Sequence, residues 1–308
     1  DGFEATWRAK DGSGRIFDEA KAEKLLAAIK GGSAKVVSVK RVSKQKPPPA
    51  AYDLTELQRD ANKKYAYTAK ETLNIMQSLY ERYKLLTYPR TDSRYIPTDV
   101  VPSLPERLRA VAVDDYKDIA LSLARKKPLQ TKYLVNDAKV SDHHAIIPTE
   151  ERPSLWDMPG MERNIYDLVV RRFLAVLLPP YEYDTIEITL DANGETYVAK
   201  GNVIKELGWK AAAALIPLEE GEEDEDDSSS VKVPEEGQML KVLDAQLTAG
   251  KTSPPSRYTE ATLLGAMEHP AGQVKDRALS KILEQTSGLG TPATRADIIE
   301  KLFSSFYI

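Results

Sequence analysis

Hydrophobic periodicity changes twice along this chain, near residue 50 and near residue 180, and no other feature constrains the fold as strongly. Before the first change, Phe3, Ala5 and Trp7, and later Val37 and Val39, alternate as strand residues do, around a helix-like Ala/Lys/Leu stretch from Asp18 to Lys30. Pro47, Pro48 and Pro49 then fix an extended connector. Beyond it, Thr55 with Gln58 and Thr68 with Glu71 have the spacing of capping boxes, which predicts two helices reaching about Tyr83. Ser103 and Glu106, with Pro105 in the first turn, predict a third, Asp114 to Lys126 a fourth, and Met161 to Leu178 carries an apolar stripe. From Tyr183 the alternation returns, with Thr185, Glu187 and Thr189 set against Ile186, Ile188 and Leu190. Asn193-Gly194 then marks a tight turn into Thr196 to Lys200, and Gln238 to Gln246 is again strand-like. Blocks in this order suit a β-rich domain split by an inserted helical one whose ends lie close together, with the connectors near residues 50 and 180 as hinges.

After Pro254-Pro255 the helical pattern resumes, with Thr259 as an N-cap, a stretch from Val274 to Glu284, and Thr291-Pro292 as N-cap and first helical residue. The expected class is multidomain α+β. Its parts are residues 1–52 and 179–255 as the two halves of the β-rich domain, 53–178 as the helical domain, and 256–308 as the start of a further helical domain. The chain ends on the apolar run Phe306-Tyr307-Ile308 with no stop signal before it, so a fragment of a longer protein is expected.

Composition excludes several functions. There is no cysteine, which removes thiol catalysis, Cys-ligated zinc and a disulfide scaffold. No apolar run approaches the ~18 residues of a membrane span, and the first ten residues lack a signal-peptide pattern, so the expected location is the cytoplasm with no membrane partner. The formal net charge of -4 hides a segregation. Eight acids lie between Glu219 and Asp227, followed by Ser228 to Ser230, and residues 219–230 read as a solvated acidic loop. Lys35, Lys40, Arg41, Lys44 and Lys46 have no acid among them and leave a basic stretch of the kind polyanions attract.

Chemistry concentrates in three places. In LLTYPRTDSRYIP, residues 85–97, Pro89 pushes Tyr88 into extended backbone, so Tyr88 and Arg90 project to one side while Thr91, Asp92 and Ser93 favour a turn. A phenol with an ordinary pKa near ~10 is a weak nucleophile, and an adjacent guanidinium favours the phenolate and can hold two oxygens of a phosphodiester. The same residues also suit a surface Tyr-Pro turn with a solvated arginine. In SDHHAIIPT, residues 141–149, one of His143 and His144 could bond a phosphate or move a proton while the other is structural, or both could be satisfied loop residues. Asp142, His143 and His144 also match the triplet of DHH phosphoesterases, which would bind metal, but the further aspartates that family needs are missing outside the acidic loop. Arg257, Thr259 and Thr262, and again Thr291 and Thr294, put hydroxyls and cations at predicted helix starts, which serve either as phosphate sites or as plain caps.

In this order, PPPAAYDLTELQRDAN, TAKETLNIMQSLYE, TYPRTDSRYIP, DHHAIIPT, PPSRYTEATLLGAME and GLGTPATRADIIEKL, spanning residues 47 to about 302, resemble the type IA DNA topoisomerases, most closely their bacterial topoisomerase III branch. The resemblance implies that Tyr88 is the nucleophile forming a 5'-phosphotyrosyl link and that Arg90 orients the scissile phosphate. His143, which matches a histidine of the family pattern, is expected to be catalytic as well, and Thr91, Asp92, Ser93, Arg257, Thr259, Thr262, Thr291 and Thr294 are expected DNA contacts, the last five in segments along the single-stranded DNA path. It further implies a two-part β arch carrying the tyrosine domain, followed by a helical base. The family's Toprim domain and its magnesium-holding acids would precede this sequence, so Mg2+ and the Toprim domain are expected partners of the parent protein rather than of these residues, and no metal is expected here. DNA in single-stranded form is the expected partner, near the nucleoid, and the isolated piece is expected to be cleavage-defective. A non-catalytic single-strand-binding module, with aromatics such as Tyr95 stacking bases, is the alternative.

Overall fold

A computed structural model describes residues 2–213, 233–286 and 288–308, so the expected acidic loop at 219–230 lies outside the described residues. The described chain forms two compact units. One takes the chain to Lys46, Tyr181–Leu207 and the described residues up to Pro255; the other takes Pro47–Pro180, residues 208–213 and Ser256–Ile308.

The first unit is an antiparallel sheet of five strands, β1 (Thr6–Arg8), β2 (Ser33–Lys46), β3 (Tyr181–Ala192), β4 (Glu195–Glu206) and β5 (Met239–Lys241), in the order β1-β4-β3-β2-β5, with helix α1 (Glu19–Ile29). Residues on either side of the helical block therefore share one sheet. The alternation read in β3 sets Ile186, Ile188 and Leu190 into a core with Ala34, Val36 and Ala199, while Thr185, Glu187 and Thr189 face away. Asn193 and Gly194 both adopt positive φ, as the two-residue β3–β4 turn requires. Two strands are shorter than their sequence patterns. Phe3 and Ala5 pack against the core as loop rather than strand, and the pattern at 238–246 pairs only at Met239–Lys241, at the edge of the sheet.

The second unit holds α2 (Leu54–Tyr65), α3 (Ala69–Glu81), α4 (Leu104–Ala110), α5 (Lys117–Arg125), α6 (Gly160–Val176), α7 (Lys210–Ala213), α8 (Glu260–Glu268), α9 (Arg277–Glu284) and α10 (Pro292–Ser304). Its main core gathers Leu54 and Leu57 of α2, Leu73, Met76 and Leu79 of α3, Ile146 and Ile147, and Tyr166, Val169, Phe173 and Leu174 of α6. A smaller cluster of Ala69, Leu264, Met267, Ala296 and Ile299 joins the start of α3 to α8 and α10.

Helix starts follow capping chemistry, with one correction. Thr68 and Glu71 form the expected reciprocal box. At α2 the cap is Asp53, not Thr55: Asp53 Oδ1 accepts from the Glu56 amide at 2.7 Å, while the fully buried Thr55 hydroxyl faces Arg295. An aspartate two residues earlier supplies both the acceptor and the negative charge favoured at a helix N-terminus. Ser103 precedes α4 without capping it and donates its hydroxyl to the Val100 carbonyl.

Candidate active site

The Tyr88 segment and the His143 segment lie side by side, although some fifty residues separate them in sequence. After α3 the chain turns at Lys84, whose φ is 59°, and runs extended through Leu86, which bridges Pro148. Thr87 ties the two segments three times: its amide donates to the Ile147 carbonyl at 3.0 Å, its hydroxyl to the Ala145 carbonyl at 3.1 Å, and the Ile147 amide donates back to that hydroxyl at 3.0 Å. Further along, the Ala145 amide donates to the Tyr95 carbonyl at 2.8 Å. Tyr88 thus leaves a backbone fixed on both sides.

Its half-buried ring lies 4.1 Å from the His143 ring at an interplanar angle of 32°, and meets Tyr80 of α3 edge-on at 5.6 Å. Tyr88, His143 and His144 line an open cleft of about 360 Å³, together with Pro97, Asp137, Val140, Ser141 and Asp142. Arg90 and Asp92 are exposed beside it. The Asp297 carboxyl on α10 is held below the usual carboxylate range by its hydrogen bond to Lys70, and Arg90 adds to that effect, so the Arg90 charge is felt at α10.

Thr91 and Ser93, expected among the DNA contacts, are tied into the protein instead of standing open beside Arg90. They are 3% and 4% exposed, and their hydroxyls are spent inside the protein, Thr91 Oγ1 on the His143 carbonyl at 3.0 Å and Ser93 Oγ on the Lys139 carbonyl at 2.8 Å. They shape the turn that presents Arg90. Tyr95 is half-buried with Lys139 Nζ 5.0 Å over its ring, which occupies one face that a base would stack on.

His144 turns its Nδ1 to the Ala145 carbonyl at 2.7 Å, so that nitrogen carries the proton. Burial, helped by Arg107 and His143, holds the imidazole below its ordinary value of 6.5, against the opposing pull of the Ala145 carbonyl and Asp99. The fold therefore favours neutral His144. The stability this gives is complete above the unfolded value and is lost as pH falls through the lower, folded value. We expect an NMR titration of His144 with its midpoint below 6.5, and an acid-linked fall in melting temperature that is smaller in His144→Gln. A midpoint at or above 6.5 would contradict the burial argument.

At the starts of α8 and α10 the threonines cap one another. The Thr259 amide donates to Thr262 Oγ1 at 2.8 Å, and the Thr291 amide to Thr294 Oγ1 at 2.9 Å. All four are exposed, as is Arg257. The GLGTPATR loop is held on α8 where the Leu289 amide donates to the Met267 carbonyl at 2.7 Å. Gly288 is needed there, because its φ is +88° and a Cβ would stand 2.5 Å from that carbonyl oxygen.

Sequence reasoning missed a polar cluster beside the site. Arg94 pairs with Asp53 and Glu56, Glu56 with Arg59, and the buried Arg295 reaches Thr55 and stands 4.0 Å from Glu268. Arg94 and Arg295 both lie inside the quoted motifs, but nothing in their spacing discloses partners forty to 240 residues away. Among the described residues, no three His, Asp or Glu side chains are grouped to hold a metal, and both Asp137 oxygens are taken by Thr98. The described residues therefore do not fit a magnesium site.

The fold is that of the type IA topoisomerases. The solved structure of full-length topoisomerase I from Thermotoga maritima superposes with a TM-score of 0.70, covering 99% of this chain and 45% of that one at 21% identity, a likeness that establishes the fold alone. The chain belongs to the DNA topoisomerase family, whose family model matches residues 2–308. It is 46% identical over 312 residues to DNA topoisomerase 3 of Bacillus subtilis and 47% identical over 310 residues to that of Bacillus anthracis. Those alignments cover 100% and 98% of this chain but only 43% and 42% of the two relatives, so it spans less than half their length. Among the described residues no helix is long and apolar enough to cross a membrane.

Proposed function

We propose that this chain is the tyrosine-bearing part of a type IA DNA topoisomerase and that Tyr88 is its nucleophile. The observation that carries the reading is the placement of Tyr88, half-buried at a cleft, stacked on His143 and carried by a backbone bonded on both sides. In the proposed step Tyr88 Oη attacks a phosphodiester of single-stranded DNA. The new bond is Oη–P and the broken bond is P–O3', so the 5'-phosphate stays on the protein while the phenol proton leaves and the departing 3'-oxygen takes one up. Arg90, exposed beside the tyrosine, supplies a positive fork for the two non-bridging oxygens as charge builds on them. His143 packs against the phenol ring in the same cleft and would share in the proton's movement. Attack of the 3'-hydroxyl on the phosphotyrosine reverses the step and reseals the strand, so relaxation or decatenation needs no ATP.

The Toprim domain of the parent protein, with its magnesium, would complete the site, and these residues alone would be cleavage-defective. The chain crossings at Lys46–Pro47 and Pro180–Tyr181 would serve as the hinges of a strand-passage gate, with the β-rich unit as its arch and residues 256–308 as the start of the base. Arg257 and the exposed starts of α8 and α10 would border the DNA strand, in a protein that works at the nucleoid. The test is to mix this chain with a separately made Toprim domain, magnesium and a labelled single-stranded oligonucleotide. A denaturant-resistant protein–DNA adduct is expected. Binding without any adduct, when the two proteins are shown to associate, would leave a single-strand-binding module instead.

A further inference from the structure

Arg94 follows Tyr88 by six residues but is directed at α2. Its Nε donates to Asp53 Oδ2 at 2.7 Å and its Nη2 to Glu56 Oε2 at 3.2 Å. Asp53 is the N-cap of α2, so one carboxylate fastens the helix start with Oδ1 and the tyrosine loop with Oδ2. Glu56 also takes a bond from Arg59 Nη1 at 2.9 Å, and the Arg59 guanidinium lies against Gly265 of α8. On the backbone, the Leu54 amide donates to the Thr91 carbonyl at 3.1 Å. The loop is thus attached to the first turn of α2 at Thr91 and at Arg94, whereas the hydroxyls of Thr91 and Ser93 tie it to the histidine side.

We propose that Arg94 is a positioning residue, a latch that holds residues 91–94 on the start of α2 and so fixes the approach of Tyr88 to the phosphate. This rests on the reading of Tyr88 as the nucleophile. An in-line attack tolerates only small misplacement of the attacking oxygen, and without Arg94 the loop would be held on α2 by the single Leu54–Thr91 bond and could pivot about its histidine side. Arg94 also compensates two carboxylates beneath a loop that has to accept a polyanion.

Arg94→Ala and Arg94→Lys test the latch in two ways. Amide hydrogen exchange on this chain reads it without any chemistry: in Arg94→Ala the Leu54 amide should exchange about tenfold faster, given the usual strength of charged hydrogen bonds, while amides of Val170 and Phe173 in α6 stay protected. With the Toprim domain and saturating oligonucleotide, adduct formation in a single turnover should slow about tenfold in the alanine variant, with oligonucleotide affinity within about threefold and partial recovery in Arg94→Lys, which keeps the charge but not the fork. Unchanged exchange at Leu54 overturns the latch whatever the chemistry shows. Faster exchange with an unchanged adduct rate, or a rate loss accounted for by weaker binding, overturns the positioning role. Absence of adduct with the unsubstituted chain would instead remove the nucleophile reading, and the positioning role with it.

Discussion

Tyr88→Phe should abolish the covalent adduct, by ~10³-fold or more in yield, while single-strand affinity stays within about twofold. The substitution removes one oxygen and leaves the ring. Stacking on His143 at 4.1 Å and the edge contact with Tyr80 at 5.6 Å persist, and so do the Thr87 bonds that fix the backbone. A lost adduct therefore reports lost chemistry and not a displaced loop. The assay is a denaturing gel with end-labelled oligonucleotide, run beside a binding titration at fixed salt, because phosphate contacts make affinity depend steeply on ionic strength. An adduct that survives in Tyr88→Phe would move the nucleophile to another residue. Arg90→Ala should then separate attack from binding. An exposed guanidinium on the tyrosine's own segment acts mainly on charge that develops during attack, so cleavage should fall by ~10²-fold with a smaller loss of affinity. Arg90→Lys should recover only part of it, since an ammonium is a point charge.

The halves of this site differed in how far they could be read from sequence. Periodicity placed β3 and α6 because each buries one face, and a buried face leaves a repeat of two or 3.6 residues in the sequence, while the Thr68–Glu71 box placed the start of α3. Pro89 declared the extended backbone at Tyr88 for a local steric reason. What could not be read is what depends on distant partners. Thr91 and Ser93 carry hydroxyls of the same kind as Thr259 and Thr291, yet the first two are buried against carbonyls of residues 143 and 139 while the others are exposed caps. Thr55 has capping-box spacing but gives its place to Asp53, because Arg295, 240 residues later, needs its hydroxyl. Burial of short polar residues is decided by tertiary neighbours, and one sequence has no period that reports them.

Arg295 leads to the second large effect, this time on stability. It is 2% exposed, and among the partners of its guanidinium Nη1 donates to Thr55 Oγ1 at 2.9 Å, Nε donates to the Leu289 carbonyl at 3.2 Å, and Glu268 Oε1 lies 4.0 Å away. Among the described residues, Glu268 Oε2 is buried without a hydrogen-bond partner. Arg295→Met keeps much of the volume but leaves that carboxylate without its arginine and exposes the Leu289 carbonyl to an apolar neighbour. Breaking a buried ion pair from one side costs about 3–5 kcal/mol, and because the Glu268 side chain keeps 19% of its exposure, about 3 kcal/mol is expected here. Urea unfolding followed by hydrogen exchange at Leu289 and Ala296 measures it locally. Adding Glu268→Gln should return part of the loss, because the uncompensated charge is what the single variant pays for, and the double-mutant cycle gives the coupling directly. If Arg295→Met is as stable as the unsubstituted chain, the guanidinium serves only to fill space. If the loss appears and Glu268→Gln does not reduce it, the hydrogen bonds to Thr55 and Leu289 carry the effect. In either of the destabilised cases the GLGTPATR loop loses its tie to α2, so the start of α10, with Thr291 and Thr294, should loosen before α6 does.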